Sequence, residues 1–160
     1  MQLVEREAIR AILLNPENEV LLMCIRNPVT QKRFWVCPGG GLSPGEDLDT
    51  ALARELAEEL GLDSFTRSAP VHRRHHVFNW KDKRISQRET FVVVPVPARF
   101  TPVMSDVVEA ESLEEFRWWP LAELDAHAHP ITPRTLKVIV EAFRANGAPS
   151  GPLDCVSEKD

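Results

Sequence analysis

The sequence lacks several features that would assign it to a class at once. Its 160 residues include no tyrosine, and its three cysteines, Cys24, Cys37 and Cys155, lie far apart without CxxC spacing. This pattern argues against a disulfide framework or a structural zinc site and favours buried free thiols. No apolar run approaches the roughly 18 residues that a membrane helix needs. Residues 1–7 are too acidic for a signal peptide, so we expect a cytoplasmic protein without a membrane partner.

An excess of positive charge is also missing, because 24 acidic against 19 basic residues give a net charge of −5, which argues against a broad basic surface. We therefore expect no nucleic-acid polymer as a partner. The exception is the stretch 67–88, which holds seven of the 19 lysines and arginines. A local positive patch on an acidic protein favours a small polyanionic substrate, with a solvated hairpin as the alternative. The candidate ligands for a substrate phosphate in this stretch are Arg73, Arg74, Arg84 and Arg88.

The alternation of apolar runs with turn residues predicts one α/β domain over residues 1–146. Strands are predicted at 8–14, 20–25, 34–37, 64–78, 85–96 and 116–119, and helices at 47–60 and 135–145. This mixture predicts an α/β sandwich with a central mixed β-sheet. Residues 147–160 are small, polar and proline-bearing, so we expect a loose tail there.

Glycine is concentrated at one place, directly before the first predicted helix. Residues 38–45 contain four of the chain's seven glycines and two prolines, which predicts a shaped loop rather than regular structure. The helix over 47–60 is followed by Gly61, a residue suited to the left-handed position that ends many helices. The loop and the helix together form the most distinctive part of the sequence.

Three glutamates share one face of that helix. Glu55, Glu58 and Glu59 stand at positions i, i+3 and i+4, within an arc of about 100°. Three carboxylates so close repel one another, and a divalent cation would turn that repulsion into coordination. Carboxylate oxygens are ligands that suit Mg²⁺ or Mn²⁺. The pattern therefore indicates a metal site, with a solvated helix face as the alternative.

The spacing of these residues resembles the signature of the Nudix hydrolases. The matching positions are Gly40, Glu46, Arg54-Glu55-Leu56, Glu58-Glu59 and Gly61-Leu62. They agree with the family at all nine specified positions of a 23-residue box. The resemblance implies a Nudix-like α/β/α sandwich and a pyrophosphohydrolase that cleaves a nucleoside diphosphate linked to a further moiety.

The resemblance also implies roles for individual residues. Glu58 and Glu59 match metal ligands of the family, and Glu55 matches a ligand or the group that orients the attacking water. The main-chain carbonyl of Gly39 or Gly40 often completes the coordination. The structural positions of the box are the ion pair Glu46–Arg54 and Gly61. The implied cofactor is Mg²⁺ or Mn²⁺, and the implied partner is a small nucleotide-like molecule.

The sequence leaves two parts of the site undetermined, namely the glutamate outside the box and the side chain that stacks on the base. Many members of the family have a further glutamate outside the box, which is a metal ligand or a general base. Glu111 and its neighbour Glu109 are candidates for it, because they lie just before the strand predicted at 116–119. Glu89 is an alternative candidate. The missing tyrosine argues against the dinucleoside-polyphosphate subclass, some members of which stack a base on that residue. The aromatic residues available for stacking are Phe34, Trp35, Phe78 and Trp80, of which Trp35 is expected in the core.

Several functions are compatible with these residues. The leading hypothesis is hydrolysis of a nucleoside di- or triphosphate, or of a nucleoside diphosphate linked to another moiety, which includes removal of oxidised dGTP from the nucleotide pool. A diphosphoinositol substrate is encouraged by the triple glycine and the basic stretch. A non-catalytic nucleotide sensor usually loses box glutamates, and all are present here. An RNA-end module would need a wide basic surface or extra domains, and these residues show neither.

The oligomeric state is left open, and a homodimer is compatible with the sequence.

Overall fold

The computed structural model describes residues 1–105, 112–125 and 129–159. Within these ranges nine strands build one sheet, two helices lie on it, and neither helix is long and apolar enough to span a membrane. In chain order the elements are β1 (Gln2–Leu14), β2 (Glu19–Arg26), β3 (Arg33–Val36), β4 (Gly39–Gly41), α1 (Leu48–Leu60), β5 (His72–Trp80), β6 (Lys83–Pro95), β7 (Leu113–Pro120), β8 (Ile131–Thr132), α2 (Leu136–Asn146) and β9 (Cys155–Lys159).

The sheet is organised around a parallel pair of long strands. β1 pairs with β6 over thirteen positions, from Gln2 opposite Lys83 to Leu14 opposite Pro95. The strand order is β8-β3-β2-β1-β6-β5-β9, while β4 pairs with β1 and β7 pairs with β2. Antiparallel pairs such as β5–β6 stand beside the parallel pairs β1–β6 and β5–β9. The predicted mixed sheet is therefore confirmed.

Side chains alternate along β1, so each face of the sheet packs on a different helix. Ile9 and Leu13 lie in one core with the α1 residues Leu52, Leu56 and Leu60. The core on the opposite face includes the buried residues Ile12, Leu14, Leu136 and Val140, of which the last two belong to α2. Full burial of such an aliphatic side chain contributes about 1.5–3 kcal/mol. The two cores confirm the predicted α/β/α sandwich.

Several elements differ from the prediction. β1 begins at Gln2 rather than at residue 8, because backbone pairing with β6 supports its polar first half. β5 begins at His72 rather than at residue 64, since Pro70 has no N–H group for a strand. The glycine content predicts a loop over 38–45, yet Gly39–Gly41 form the short strand β4 against β1.

The C-terminal segment is the largest correction. Residues 147–160 are predicted to be a loose tail, yet Cys155–Lys159 form strand β9, parallel to β5. Part of the reason is an ion pair, in which Arg74 Nη1 donates to Glu158 Oε2 at 3.0 Å. All three cysteines are free, but the thiol at the start of β9 is exposed. The thiols that are buried as expected are those of Cys24 and Cys37.

Candidate active site

Helix α1 presents its glutamates at the edge of the protein interior. Asp47 caps its N-terminus, and Gly61 ends it in the predicted left-handed conformation, with φ 70°. Because the apolar ridge of the helix packs on the sheet, the neighbouring carboxylates are drawn inward. Glu55 and Glu59 are each only 3% exposed, whereas the Glu58 side chain is 36% exposed. The three predicted carboxylates therefore differ strongly in their access to solvent.

The carboxylate of Glu55 packs directly on the main chain of Gly40. A Cβ atom on Gly40 would lie 2.6 Å from Glu55 Oε1, so any side chain here would displace the Glu55 carboxylate. Oε1 accepts a hydrogen bond from Arg54 Nη1 at 3.0 Å. Oε2 is buried and accepts no hydrogen bond from the residues that the structure describes. Burial raises the pKa of Glu55, against the opposing effect of the Arg54 guanidinium. A buried oxygen without a donor indicates a position for a ligand.

The second buried carboxylate is held by the neighbouring glycine. Oε1 of Glu59 accepts the N–H of Gly39 at 2.7 Å. Gly39 has φ 136°, and a Cβ atom there would lie 2.0 Å from the carbonyl oxygen of Ile9. Any side chain at this position is therefore excluded both by the backbone conformation and by space. The glycines of β4 thus let two carboxylates of α1 approach the main chain of the sheet.

Arg54 joins the loop to the helix as the resemblance implies. Its Nε and Nη2 donate to the two carboxylate oxygens of Glu46, each at 2.8 Å. Nη2 also donates to the carbonyl of Gly41 at 3.1 Å, and Nη1 lies 3.4 Å from Glu58 Oε2. The hydrogen bonds from Arg54 and from a backbone N–H of the loop lower the pKa of Glu46 to about 2. One guanidinium therefore offsets part of the repulsion among the acidic side chains.

The donor set fits a divalent cation, although the carboxylates do not converge on one point. Across residues 1–105, 112–125 and 129–159, no group of three or more histidine, cysteine, aspartate or glutamate side chains is arranged to hold a metal. The fit rests on the buried Oε2 of Glu55, which lies against the Gly40 main chain, and on the carboxylate oxygens of Glu58 and Glu59.

The four candidate phosphate-binding arginines divide between the two faces of the sheet. Arg74 stands opposite Glu89 in the β5–β6 pair, is 3% exposed, and donates from Nε to Glu89 Oε1 at 2.6 Å. Its guanidinium is thus an internal ion-pair partner, which disfavours the predicted contact with substrate. Side chains of adjacent strand residues point to opposite faces. The candidates on the face away from Arg74 are Arg73, Arg84 and Arg88. Their binding of phosphate stays a prediction.

Glu89, the rival for the additional glutamate, belongs to a buried array of ion pairs. It is 1% exposed, and its Oε2 accepts a hydrogen bond from Arg10 Nε at 2.8 Å, while Arg74 occupies Oε1. Burial raises the pKa of Glu89, but the charges of Arg10 and Arg74 outweigh burial and lower that pKa to about 2. Glu111 and its neighbour Glu109 lie outside the described residues.

Arg10 is the residue near the site that the sequence prediction missed. It lies on β1 between the buried residues Ile9 and Ala11. Its Nη1 donates to the main-chain carbonyls of Cys37 and Gly39, both at 3.1 Å. The signal that would have found it is an arginine inside an apolar strand, because a charged side chain is rarely buried without a partner.

The sandwich, with its glutamate helix packed against the glycine strand, has the arrangement that the resemblance implies. The family model described as the NUDIX domain matches residues 4–141, and the chain belongs to that family. An RNA pyrophosphohydrolase of Novosphingobium aromaticivorans is 26% identical over 120 residues, covering 69% of this chain and 74% of the relative. The E. coli ORF135 protein has a similar structure, with a TM-score of 0.62, 23% identity, and coverage of 94% of this chain and 96% of that chain. The E. coli dihydroneopterin triphosphate pyrophosphohydrolase has a TM-score of 0.65, 15% identity, and coverage of 89% and 99%.

We predict that Gly40→Ala impairs the site without unfolding the chain. The added Cβ would lie 2.6 Å from Glu55 Oε1, so this carboxylate must move. Turnover should fall at least about tenfold, which corresponds to about 1.4 kcal/mol of barrier. Gly41→Ala is the matched control in the same strand, because the nearest atoms to its Cβ would belong to the flexible side chain of Arg6, at 3.4 Å. Steady-state kinetics and circular dichroism of both variants test this, and equal losses of turnover would contradict it.

Glu89→Gln should change how the stability of the protein depends on pH. The pKa of Glu89 is about 2 in the fold, against an ordinary value of 4.5. Its stabilising contribution is therefore complete above the ordinary value and is lost as the pH falls toward the folded value. At neutral pH this shift corresponds to roughly 3 kcal/mol. Urea unfolding from neutral pH down to about pH 2.5 should show the wild type converging on the variant. A constant difference over that range would contradict the assignment.

Proposed function

We propose that the chain is a divalent-cation-dependent pyrophosphohydrolase of nucleoside di- or triphosphates, or of nucleoside diphosphates linked to a further moiety. The observation that carries this proposal is the buried Oε2 of Glu55, held against Gly40 without a hydrogen-bond donor among the described residues. Membership of the family supports the reaction class. Oxidised dGTP is the substrate to test first.

The glutamates of α1 and the glycines of β4 have separate proposed roles in binding the cation and in orienting its ligands. Glu58 and Glu59, with the main-chain carbonyl of Gly40, would hold Mg²⁺ or Mn²⁺. When bound, the cation neutralises the diphosphate, polarises a phosphorus atom and lowers the pKa of a water molecule. The N–H of Gly39 keeps Glu59 oriented by donating to its Oε1. Oε2 of Glu55 would be a further ligand of the cation or the group that orients the attacking water, because it is buried and accepts no hydrogen bond from the described residues.

Two arginines of the basic stretch are the proposed donors to the remaining phosphate oxygens. Arg88 precedes Val92 by four residues on β6 and so shares its face, on which α1 packs. Arg73, opposite Thr90 in the β5–β6 pair, lies on the same face. Positive charge on the face that carries the acidic helix would attract an anionic substrate toward the site. Arg84 shares the face but lies at the far end of β6.

A pair of aromatic rings is the proposed contact for the base. The ring centroids of Phe34 on β3 and Trp80 on β5 lie 6.5 Å apart at an interplanar angle of 89°, and both side chains are partly exposed. Three strands separate β3 from β5 in the sheet, so curvature of the sheet brings the rings together. Partly exposed aromatic rings offer a stacking surface for a base. Trp35, by contrast, is 3% exposed and belongs to the core, as predicted.

A second candidate substrate is RNA with a 5′-triphosphate end. It is favoured by the relative from Novosphingobium aromaticivorans, which is named an RNA pyrophosphohydrolase. The net charge of −5 leaves little basic surface for the rest of an RNA chain, so we place this candidate second. A diphosphoinositol compound offers the same anhydride chemistry and belongs in the same comparison.

A substrate panel tests the proposed function. Release of phosphate, pyrophosphate or mononucleotide is measured with Mg²⁺ and with Mn²⁺ on normal and oxidised dGTP, other nucleotides, nucleotide sugars, triphosphorylated RNA and a diphosphoinositol compound. We expect hydrolysis of at least one free nucleotide, loss of activity in excess chelator, and recovery when the cation is added back. Full turnover in excess chelator would overturn the proposal, hydrolysis of RNA alone would favour the second candidate, and nucleotide binding without hydrolysis would indicate a sensor.

Variants of the helix carboxylates provide the control for that panel. Glu58→Gln and Glu59→Gln should each lower turnover by about 100-fold or more, because an amide cannot replace a charged ligand. Glu141→Gln removes an exposed glutamate of α2, the other helix, and should keep the turnover of the wild type. Unchanged turnover of both α1 variants at limiting metal would show that the acidic face is only a solvated surface.

The aromatic pair leads to a separate prediction about substrate affinity. Phe34→Leu removes one ring of the pair and should raise the KM of the best nucleotide at least about fivefold, since stacking on a base contributes about 1 kcal/mol or more. The kcat should change little, because the ring does not touch the anhydride. Phe100→Leu is the matched control, since Phe100 and Trp118 form a similar edge-to-face pair with centroids 5.5 Å apart. Equal KM values for the two variants would exclude the pair as the base site.

A further inference from the structure

Four charged side chains from four neighbouring strands form a continuous row through the protein. Strands β9, β5, β6 and β1 lie next to one another in that order. Arg74 on β5 donates to Glu158 on β9 at 3.0 Å and to Glu89 on β6 at 2.6 Å. Arg10 on β1 donates to the other oxygen of Glu89 at 2.8 Å. These four residues, Glu158, Arg74, Glu89 and Arg10, are called the charge row below.

The inner end of the charge row contacts the main chain of the Nudix box. Arg10 uses Nε for Glu89 and Nη1 for the carbonyl oxygens of Cys37 and Gly39, both at 3.1 Å. Gly39 in turn donates its N–H to Glu59 Oε1 at 2.7 Å. The hydrogen-bonding groups on both sides of the Gly39 α-carbon are therefore engaged, one by Arg10 and one by a carboxylate of the helix.

The geometry of this contact requires an arginine. Only a guanidinium has separate N–H groups in one rigid plane that can reach a carboxylate and two carbonyls together. Glu89 fixes that plane, because each of its two oxygens accepts from a different arginine. Stability alone explains the array poorly, since a buried ion pair often contributes no more than apolar residues of the same volume. The arrangement is better explained by a role in orienting the main chain of Gly39.

We propose that Arg10 is a positioning residue for the site, and that the charge row holds the Gly39 main chain in the orientation in which Glu59 binds the divalent cation. The inference rests on the proposed function, because it requires Glu59 to be a metal ligand. Strand β9 then contributes to metal binding from a distance, since Glu158 fixes Arg74 and Arg74 fixes Glu89.

Arg10→Lys in the 160-residue chain is the first test. Lysine keeps the positive charge beside Glu89 but cannot hold the carboxylate and both carbonyls. Mn²⁺ binding to the metal-free protein is measured by electron paramagnetic resonance without substrate, and kcat and KM are measured separately at saturating Mg²⁺. We expect the Kd for Mn²⁺ to rise about tenfold and kcat to fall by a similar factor, with KM within about twofold. Arg99→Lys is the control, since Arg99 makes two hydrogen bonds with Glu19.

Glu158→Gln tests the outer end of the charge row. It also keeps the inference testable if the Arg10 variant does not fold. The Glu158 side chain is 28% exposed, and the buried Arg74 keeps its ion pair with Glu89, so the substitution leaves no buried charge alone. The expected increase in the Kd for Mn²⁺ is about threefold, because the effect passes through two further side chains. Glu114→Gln is the matched control, since Glu114 is 31% exposed and pairs with Arg26 at 2.8 Å. It should leave the Kd for Mn²⁺ unchanged.

The outcomes separate the inference from the proposed function. A wild-type protein that fails to bind Mn²⁺ would overturn both. If the wild type binds Mn²⁺ and Arg10→Lys lowers the melting temperature without changing the Kd or kcat by more than about twofold, the charge row is only structural and the inference is wrong. If Arg10→Lys does not fold, equal Kd values for Glu158→Gln and Glu114→Gln would overturn it.

Discussion

The parallel pairing of β1 with β6 is the constraint on which the site depends. Its register sets Arg10 opposite Phe91, so the guanidinium reaches Glu89 two residues earlier on the same face. The other edge of β1 pairs with β4, where Arg10 stands opposite Gly39. A single residue of β1 therefore has a buried carboxylate on one side and the glycine strand on the other. A shift of the register by one residue would turn Arg10 to the α1 face and separate all of them.

The protein handles negative charge differently in its two acidic regions. Glu89 is compensated completely inside the protein, because each oxygen accepts a hydrogen bond from an arginine. The glutamates of α1 are compensated only in part, since Arg54 lies closest to Glu46 and leaves Glu55 Oε2 without a donor among the described residues. A fully compensated carboxylate fixes neighbouring groups, whereas a partly compensated one can still gain from a cation.

The separation of interacting residues along the chain explains which features could be predicted from the sequence. The helix, its end at Gly61 and the Glu46–Arg54 pair involve residues at most eight apart, so spacing alone reveals them. Arg10 and strand β9 were missed because their partners lie 79 and 84 residues away. Alternation places Arg73 and Arg74 on opposite faces of a strand, but only the complete sheet shows that Arg74 is the buried one.

The packing of Trp35 against Trp119 has a spectroscopic consequence. Their rings meet edge to face, with centroids 5.2 Å apart at 83°, in the core beside α2. Because the chain contains no tyrosine, its aromatic circular dichroism arises from tryptophan and phenylalanine alone. The near-ultraviolet band of two indoles held at a fixed angle depends on their fixed surroundings, so this band reports the packing of this face. Loss of tertiary packing removes such a band while the backbone signal persists. A single spectrum therefore distinguishes a loosened compact state from the native fold.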